Sequence, residues 1–152
     1  MKYMFASDIH GSAHYCRKML EAYRQSGADR LILLGDLLYH GPRNDLPQEY
    51  APKQVIAMLN EYKNEIIAVR GNCEAEVDQM VLEFPVMADY AILVHGHTHL
   101  LKAEKVNGHY ILNPGSTSIP KGGNPATYAI LDEQDFKIFD FDGNVVKEAK
   151  LG

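Results

Sequence analysis

Polar side chains suited to metal binding stand directly after four apolar runs of this sequence. They are Asp8 with His10, Asp36, Asn72, and His97 with His99, the last pair being preceded by His95. Carboxylate oxygens and imidazole nitrogens suit divalent ions such as Mn²⁺, Fe²⁺, Ni²⁺ or Zn²⁺, and fit a soft, thiolate-selecting site poorly. Taken singly, Asp8 could cap a helix and Asp36 could belong to a turn. Their common position after apolar runs favours a metal site instead, and six candidate ligands suggest two ions.

The apolar runs that must position these residues are typical of buried strands. Lys2 to Ser7, Arg30 to Leu34 and Glu65 to Val69 are nearly uninterrupted, as expected for parallel strands covered on both faces. Helical spacing follows Ser12, which can cap a helix, and begins again at Pro52. Because the carboxyl ends of parallel strands meet at one edge of a sheet, we expect the polar residues to share one crevice.

The remaining chain predicts a long loop, a short helix and an antiparallel half. The loop from Leu37 to Ala51 carries His40, Arg43 and Asn44, and a short helix is predicted between Glu74 and Leu82. Strands are then predicted at Ala91 to Val94, Leu101 to Val106, His109 to Leu112, Ala126 to Leu131, Phe136 to Phe141 and Val145 to Ala149. Asn107-Gly108 and Asp142-Gly143 are tight-turn signals between them. Two sheets that share one core are the simplest architecture.

Length and composition indicate one domain over residues 1–152. With 46% hydrophobic residues the chain can build a core, and its net charge of −5 argues against binding extended nucleic acid. Cys16 and Cys73 make no disulfide framework, and no apolar run reaches membrane-spanning length. We therefore expect a soluble, cytoplasmic protein in which phosphate chemistry would need a local positive centre such as metal ions.

Four short motifs resemble those of the calcineurin-like metallophosphoesterase superfamily. They are Asp8-Ile9-His10, Gly35-Asp36, Gly71-Asn72 and Gly96-His97-Thr98-His99. His40-Gly41-Pro42-Arg43-Asn44 and Asn113-Pro114-Gly115-Ser116 are similar, more narrowly, to small bacterial phosphodiesterases of the YfcE type. The resemblance covers nearly the whole chain. It implies an α/β fold, a four-layer α/β/β/α sandwich of two mixed sheets, with two divalent ions at the strand ends. Mn²⁺ is the expected metal, with Zn²⁺, Fe²⁺ or Ni²⁺ as alternatives.

The resemblance also implies which residues hold each ion. One ion would be held by Asp8, His10, Asp36 and His99, and Asp36 would bridge to a second ion held by Asn72 and His97. The family places a further histidine before the Gly-His-x-His block, and that motif is absent between Tyr90 and Val94. Either the chain lacks a hairpin-sized segment or a mobile segment is missing from the sequence, and the closely matching flanks favour the second explanation. His95 is expected to lie outside the ligand set.

The expected catalytic residues are Asn72 and Asp36, and His40, Arg43 and Arg70 are candidates for binding a charged substrate. In many relatives a histidine follows the asparagine and can protonate the leaving group, whereas here the residue is Cys73. This difference favours a substrate with a good leaving group.

The sequence therefore predicts a metal-dependent phosphodiesterase that uses hydroxide activated by two divalent ions. Two alternatives stay open: a phosphomonoesterase, and a non-catalytic protein-interaction scaffold, because a eukaryotic retromer subunit resembles this fold with its metal site compromised. The expected partner is a small phosphodiester, with no membrane and no extended nucleic acid. Self-association into a homo-oligomer is compatible with the sequence.

Overall fold

The computed structural model describes residues 2–86, 96–106 and 109–151. Its helices and strands, in chain order, are β1 (Lys2–Ala6), α1 (Ala13–Ser26), β2 (Arg30–Leu33), α2 (Pro52–Asn60), β3 (Ile66–Ala68), a 3₁₀ helix (Glu76–Met80), β4 (Lys102–Val106), β5 (His109–Asn113), β6 (Thr127–Asp132), β7 (Asp135–Asp140) and β8 (Val145–Lys150). The predicted mixed α/β fold class is confirmed. The short helix predicted before Leu82 is a single 3₁₀ segment.

Six strands form one mixed sheet in the order β3-β2-β1-β6-β7-β8, and β4 pairs with β5 in a separate antiparallel sheet. β1, β2 and β3 run parallel, whereas β6 lies antiparallel to β1, with Met4 opposite Ile130. The half of the sequence in which strands and helices alternate and the antiparallel half therefore do not form separate sheets. β6 pairs with the edge of β1 that β2 leaves free, so that β1 lies in the middle of the large sheet.

Apolar side chains cover the large sheet on both faces. On one face, Met19 and Leu20 of α1 and Val55 of α2 pack with the strand residue Leu31. On the other face, Phe5 and Ile32 pack with Ala103 of β4 and Leu112 of β5. In the described ranges the layers are thus the two helices, the six-stranded sheet and the two-stranded sheet. This double coverage explains the nearly uninterrupted apolar character of β1 and β2.

Local signals account for the helix ends. Ser12 caps α1 by accepting a hydrogen bond from the Tyr15 backbone N–H at 3.2 Å, and Gly27 ends it in the left-handed conformation at φ 65°. α2 begins at Pro52, as predicted.

The predicted strand at Ala91 to Val94 and the Asn107-Gly108 turn lie outside the described residues. Within the described ranges, no helix has both the length and the apolar character needed to cross a membrane.

Candidate metal centre

The polar residues that follow the three parallel strands lie at one edge of the large sheet. Asp8 and His10 follow β1, Asp36 follows β2, and Asn72 follows β3. Backbone hydrogen bonds join the first two of these loops, because the N–H of Asp8 donates to Gly35 at 3.1 Å and that of His10 donates to Asp36 at 2.9 Å. The parallel pairing predicted from the apolar runs therefore brings these side chains together at the carboxyl ends of the strands.

Most of the candidate ligands have a left-handed backbone. Of the described residues other than glycine, seven have positive φ, and five of these are candidate ligands: Asp8, His10, Asp36, His97 and His99, with φ between 48° and 67°. Such a conformation costs a non-glycine residue about 1 kcal/mol or more. Concentrated at one place, this strain indicates that the surrounding fold holds these side chains in directions that a relaxed loop would not give.

Asp8, His10 and His99 form a buried cluster whose ring nitrogens are oriented by the backbone. His10 Nδ1 lies 2.7 Å from the carbonyl oxygen of Tyr39, and His99 Nδ1 lies 2.6 Å from that of Ile119. A carbonyl oxygen can only accept, so Nδ1 carries the proton in both rings. In the neutral rings each Nε2 is then a bare lone pair, and both face Asp8 Oδ1, at 3.5 Å from His10 and 2.9 Å from His99.

Two imidazole lone pairs and a carboxylate facing one another require a cation between them. Neither Asp8 oxygen nor His10 Nε2 has a well-formed hydrogen bond to any described residue, and all three atoms are buried. Ligand atoms of Asp8, His10 and His99 all lie within 4.8 Å of one another. The donor set and its buried, unsatisfied atoms thus fit a divalent metal ion.

Without a metal, a proton on His10 takes the place of the cation. Burial alone raises the pKa of Asp8, but the neighbouring imidazoles of His10 and His99 hold that pKa well below its usual range. Burial likewise opposes the charged form of His10, yet the Asp8 carboxylate keeps the pKa of His10 above its ordinary value. The cluster therefore favours bound positive charge even as the free protein.

Asp36 connects this cluster to the loop that follows β3. Its Oδ2 lies 4.0 Å from His10 Nε2, and its Oδ1 accepts a hydrogen bond from the backbone N–H of Cys73 at 2.8 Å. Glu74, also buried, accepts hydrogen bonds from the backbone N–H groups of Leu37, at 2.7 Å, and Gly71. One carboxylate thereby ties the loop after β2 to the loop after β3.

A cavity of about 420 Å³ gives access to the cluster. Its lining includes most of the candidate ligands, namely His10, Asp36, Asn72, His97 and His99, together with Arg43, Asn44, Cys73, Thr98 and Lys121. His40 and Arg70, both expected from the sequence to bind substrate, do not line it. The His40 ring instead packs between Tyr39 and Tyr50, at 4.8 and 5.2 Å between ring centroids.

Residues 1–142 match the family of calcineurin-like phosphoesterases. The chain belongs to this family. It is similar to phosphodiesterase YfcE of Escherichia coli (strain K12), with 48% identity over 161 residues that cover 87% of this chain and 88% of the relative. These findings confirm the predicted family, and they make the chain a phosphoric ester hydrolase whose family uses divalent metal ions.

Solved structures agree with this assignment. That of the E. coli phosphoesterase YfcE matches this phosphoesterase with a TM-score of 0.94 and 42% identity over all of both chains. A Vps29 mutant from Entamoeba histolytica matches with a TM-score of 0.60 and 17% identity over all of both chains, which shows a shared fold alone. The near-complete ligand set and the phosphoesterase relatives favour the enzyme over the scaffold.

The matched parts of this chain and of its E. coli relative differ in length. The match spans 161 residues yet takes in only 87% of the 152 residues here, so the relative has residues with no counterpart in this chain. Both explanations offered from the sequence account for this difference, and the missing mobile segment stays a prediction. Tyr90, Val94 and His95, where the difference was expected, lie outside the described residues.

Three residues that the sequence analysis did not place in the site contribute to it. Cys73 and Lys121 line the cavity, and Glu74 joins its loops. Cys73 adjoins the Gly-Asn motif, so its position was a usable signal. Lys121 lies outside the four metal-binding motifs, and the fold brings it to the site, where its backbone N–H donates to the His99 carbonyl at 3.2 Å.

Proposed function

We propose that this phosphoesterase hydrolyses a small phosphodiester with the help of two divalent ions. The expected metal is Mn²⁺, with Zn²⁺, Fe²⁺ or Ni²⁺ as alternatives. The observation that carries the proposal is the buried Asp8 carboxylate facing two Nε2 atoms whose rings can donate only from Nδ1. Asp36 lies beside this cluster on the cavity wall. The name of the E. coli relative, a phosphodiesterase, supports a diester as substrate.

The ligands divide by burial into two groups. Asp8, His10, Asp36 and His99 are buried and would hold the first ion. Asn72 and His97 are exposed at the cavity and would hold the second, with Asp36 shared between the ions. When bound, two such ions polarise a phosphoryl oxygen and lower the pKa of a water, so that hydroxide is available near neutral pH.

The protein's own part is to bind and orient the substrate. The Asn72 amide can donate to a phosphate oxygen, and Arg43 and Lys121 bring positive charge to the cavity of an otherwise acidic protein. Burial, together with the charge of Asp36, raises the pKa of Cys73 to about 11. Because Cys73 stands where many relatives have a histidine, this position offers no imidazole to protonate a leaving group, which suits a substrate whose leaving group needs no protonation.

Hydrolysis of bis-p-nitrophenyl phosphate with and without Mn²⁺ tests the activity. We expect turnover that depends on metal, exceeds that of p-nitrophenyl phosphate, and falls in Asp36→Ala by at least about 100-fold, beyond the loss typical of an outer-sphere partner. Asp142→Ala, an exposed carboxylate at the turn after β7, is the matched control and should keep its activity. Turnover that is indifferent to metal or to Asp36 would refute the proposal.

The number of ions is tested by the metal content of the purified protein. After equilibration with Mn²⁺ we expect two ions per chain in the wild type and one in His97→Ala, because His97 serves only the exposed position. His14→Ala, a histidine of α1 away from the cavity, should still bind two. One ion per chain in the wild type would contradict the two-ion site while leaving the buried cluster in place.

The place of action and the assembly are part of the same proposal. Cys16 and Cys73 are both free, which is compatible with the reducing cytoplasm. The net charge of −5 opposes binding of extended nucleic acid. We expect the enzyme to act in the cytoplasm as one domain, alone or as a homo-oligomer.

A further inference from the structure

A thiol lies among the candidate metal ligands. Cys73, half-buried, lines the cavity, and its Sγ lies within 4.8 Å of a ligand atom of His10 and of a ligand atom of Asp36. Ligands of one Zn²⁺ lie about 2.0–2.3 Å from the ion, so donors this close to one another can be shared by one cation after small shifts. His10, Asp36 and Cys73 therefore form a second trio beside Asp8, His10 and His99.

The other members of this trio are buried, and one of them is unsatisfied. Asp36 is 3% exposed and His10 is 1% exposed. The Nε2 atom of His10 has no hydrogen-bond partner among the described residues. A single Nε2 serves one ion at a time. If His10 is engaged with Asp8 and His99, then Asp36 and Cys73 remain for the neighbouring position, and Asn72 and His97 line the same cavity.

The contacts around Cys73 hold its sulfur towards the ligands. Its backbone N–H donates to Asp36 Oδ1 at 2.8 Å, which ties the residue to the carboxylate. The Asn72 amide donates to Cys73 Sγ at 3.2 Å. On the other side, Sγ would lie 3.3 Å from a Cβ placed on Gly41, so this wall has little spare room. A ligand oriented by such outer contacts loses little freedom when it binds a metal.

We infer that Cys73 Sγ is a ligand of the second, exposed metal position, which thereby accepts thiophilic divalent ions such as Zn²⁺, Co²⁺ or Cd²⁺. The inference rests on the proposed two-ion function. On binding, the thiol releases its proton to the solvent and a metal–sulfur bond forms, with no change of oxidation state. The ligand set of this position is then Asp36, Asn72, Cys73 and His97.

The consequence is a difference in metal preference between the two positions. The buried position offers only oxygen and nitrogen donors, which suit Mn²⁺, whereas a thiolate adds affinity for softer ions. Removal of the sulfur should therefore weaken the binding of Zn²⁺ or Cd²⁺ strongly and that of Mn²⁺ little. The sequence alone pointed away from a thiolate site, because it did not show how close Cys73 lies to Asp36.

Titration of the metal-free protein with Cd²⁺ tests the inference directly, because a thiolate–cadmium bond has its own ultraviolet charge-transfer absorption. We expect this absorption in the wild type and in Cys16→Ala, whose thiol is buried in the core beneath α1. We expect it to be lost in Cys73→Ser. That variant should bind Cd²⁺ at the exposed position at least about tenfold more weakly and keep its Mn²⁺ affinity within about twofold.

The outcomes separate this inference from the proposed function. Cd²⁺ binding without charge-transfer absorption would show a site of oxygen and nitrogen donors only, which overturns the role of Cys73 and leaves the metal-dependent function standing. An absorption that survives in Cys73→Ser and disappears in Cys16→Ala would overturn it as well. Absence of both Cd²⁺ and Mn²⁺ binding would overturn the metal site itself, and the inference with it.

Discussion

Single carbonyl oxygens determine which nitrogen each buried histidine presents. Tyr39 and Ile119 accept from Nδ1 of His10 and His99, so that both Nε2 atoms point at Asp8. With the opposite tautomer the rings would offer N–H groups to the carboxylate and satisfy it without a metal. The metal-binding character of this cluster thus depends on two backbone atoms that belong to other loops.

Proton competition at His10 should make metal binding depend on pH. Burial disfavours the charged ring, but the Asp8 carboxylate outweighs it and raises the pKa of His10 above its ordinary value. Below that raised pKa a proton occupies Nε2 and must leave when the metal binds. We therefore expect Mn²⁺ affinity to rise as the pH rises through the His10 pKa, and to fall below it by up to about tenfold per pH unit.

Calorimetry in two buffers of different ionisation enthalpy measures this proton release. Release should approach one proton from His10 at pH values below the raised pKa of His10 and decline at pH values above it. His14→Ala, which lacks a histidine away from the cavity, should show the same profile. A proton release that does not change with pH would mean that Nε2 of His10 is not a ligand.

The loops at the strand ends act together because they are bonded to one another. The loop after β1 donates to the loop after β2, and Glu74 accepts from both Leu37 and Gly71. Gly71 must remain a glycine for the same reason, since a Cβ there would lie 2.2 Å from Asp36 Oδ1. Each ligand is therefore positioned by its neighbours' loops as much as by its own strand.

Substitution of Glu74 by Gln should loosen this connection. The amide group of Gln would turn a donor towards a backbone N–H, leaving a buried N–H unsatisfied, which costs about 1–3 kcal/mol. Chemical unfolding should show this loss for Glu74→Gln and none for Glu76→Gln, its exposed neighbour in the 3₁₀ helix. Mn²⁺ affinity should fall with it, by about 10–100-fold, as for other outer-sphere partners. Equal stabilities of the two variants would remove Glu74 from this role.

The two halves of the chain complete the site only when they pair in one sheet. β6 lies against β1, and the segment before it reaches the strand ends, where the Ser118 hydroxyl donates to the Asp8 carbonyl at 2.9 Å. The buried Asn113 amide donates to the Gly96 carbonyl at 3.1 Å, which holds the loop that carries His97 and His99. Contacts far apart in sequence therefore join Asp8 to His99.

Metal binding should accordingly stabilise the whole molecule. An ion that binds only the folded chain adds about 2.7 kcal/mol at a concentration 100 times its Kd, which corresponds to a rise in Tm of about 5–10 °C. We expect one cooperative thermal transition in calorimetry, shifted upward by Mn²⁺ and downward by EDTA. The thermal transition of Asp142→Ala should shift with Mn²⁺ and EDTA as that of the wild type does, whereas the transition of Asp8→Ala should not shift. Two separate transitions would contradict a single domain.

Much of this arrangement could be predicted from the sequence because it depends on local patterns. Uninterrupted apolar runs identified β1 and β2, Ser12 and Pro52 marked the helix starts, and the polar residues after each run identified the candidate ligands. Parallel pairing then required these residues to meet at one edge. Residue type, order along the chain and strand direction suffice for such predictions, since none of them needs knowledge of a distant contact.

The tertiary structure decided which of these residues act on one another. It joined β6 to β1, turned His10 and His99 to the same Asp8 oxygen, and brought Cys73 and Lys121 to the cavity while His40 and Arg70 stayed outside its lining. Each of these outcomes depends on backbone atoms remote in sequence, such as the carbonyls of Tyr39 and Ile119. A local pattern carries no information on which distant carbonyl will meet a given ring, and so only the folded chain determines it.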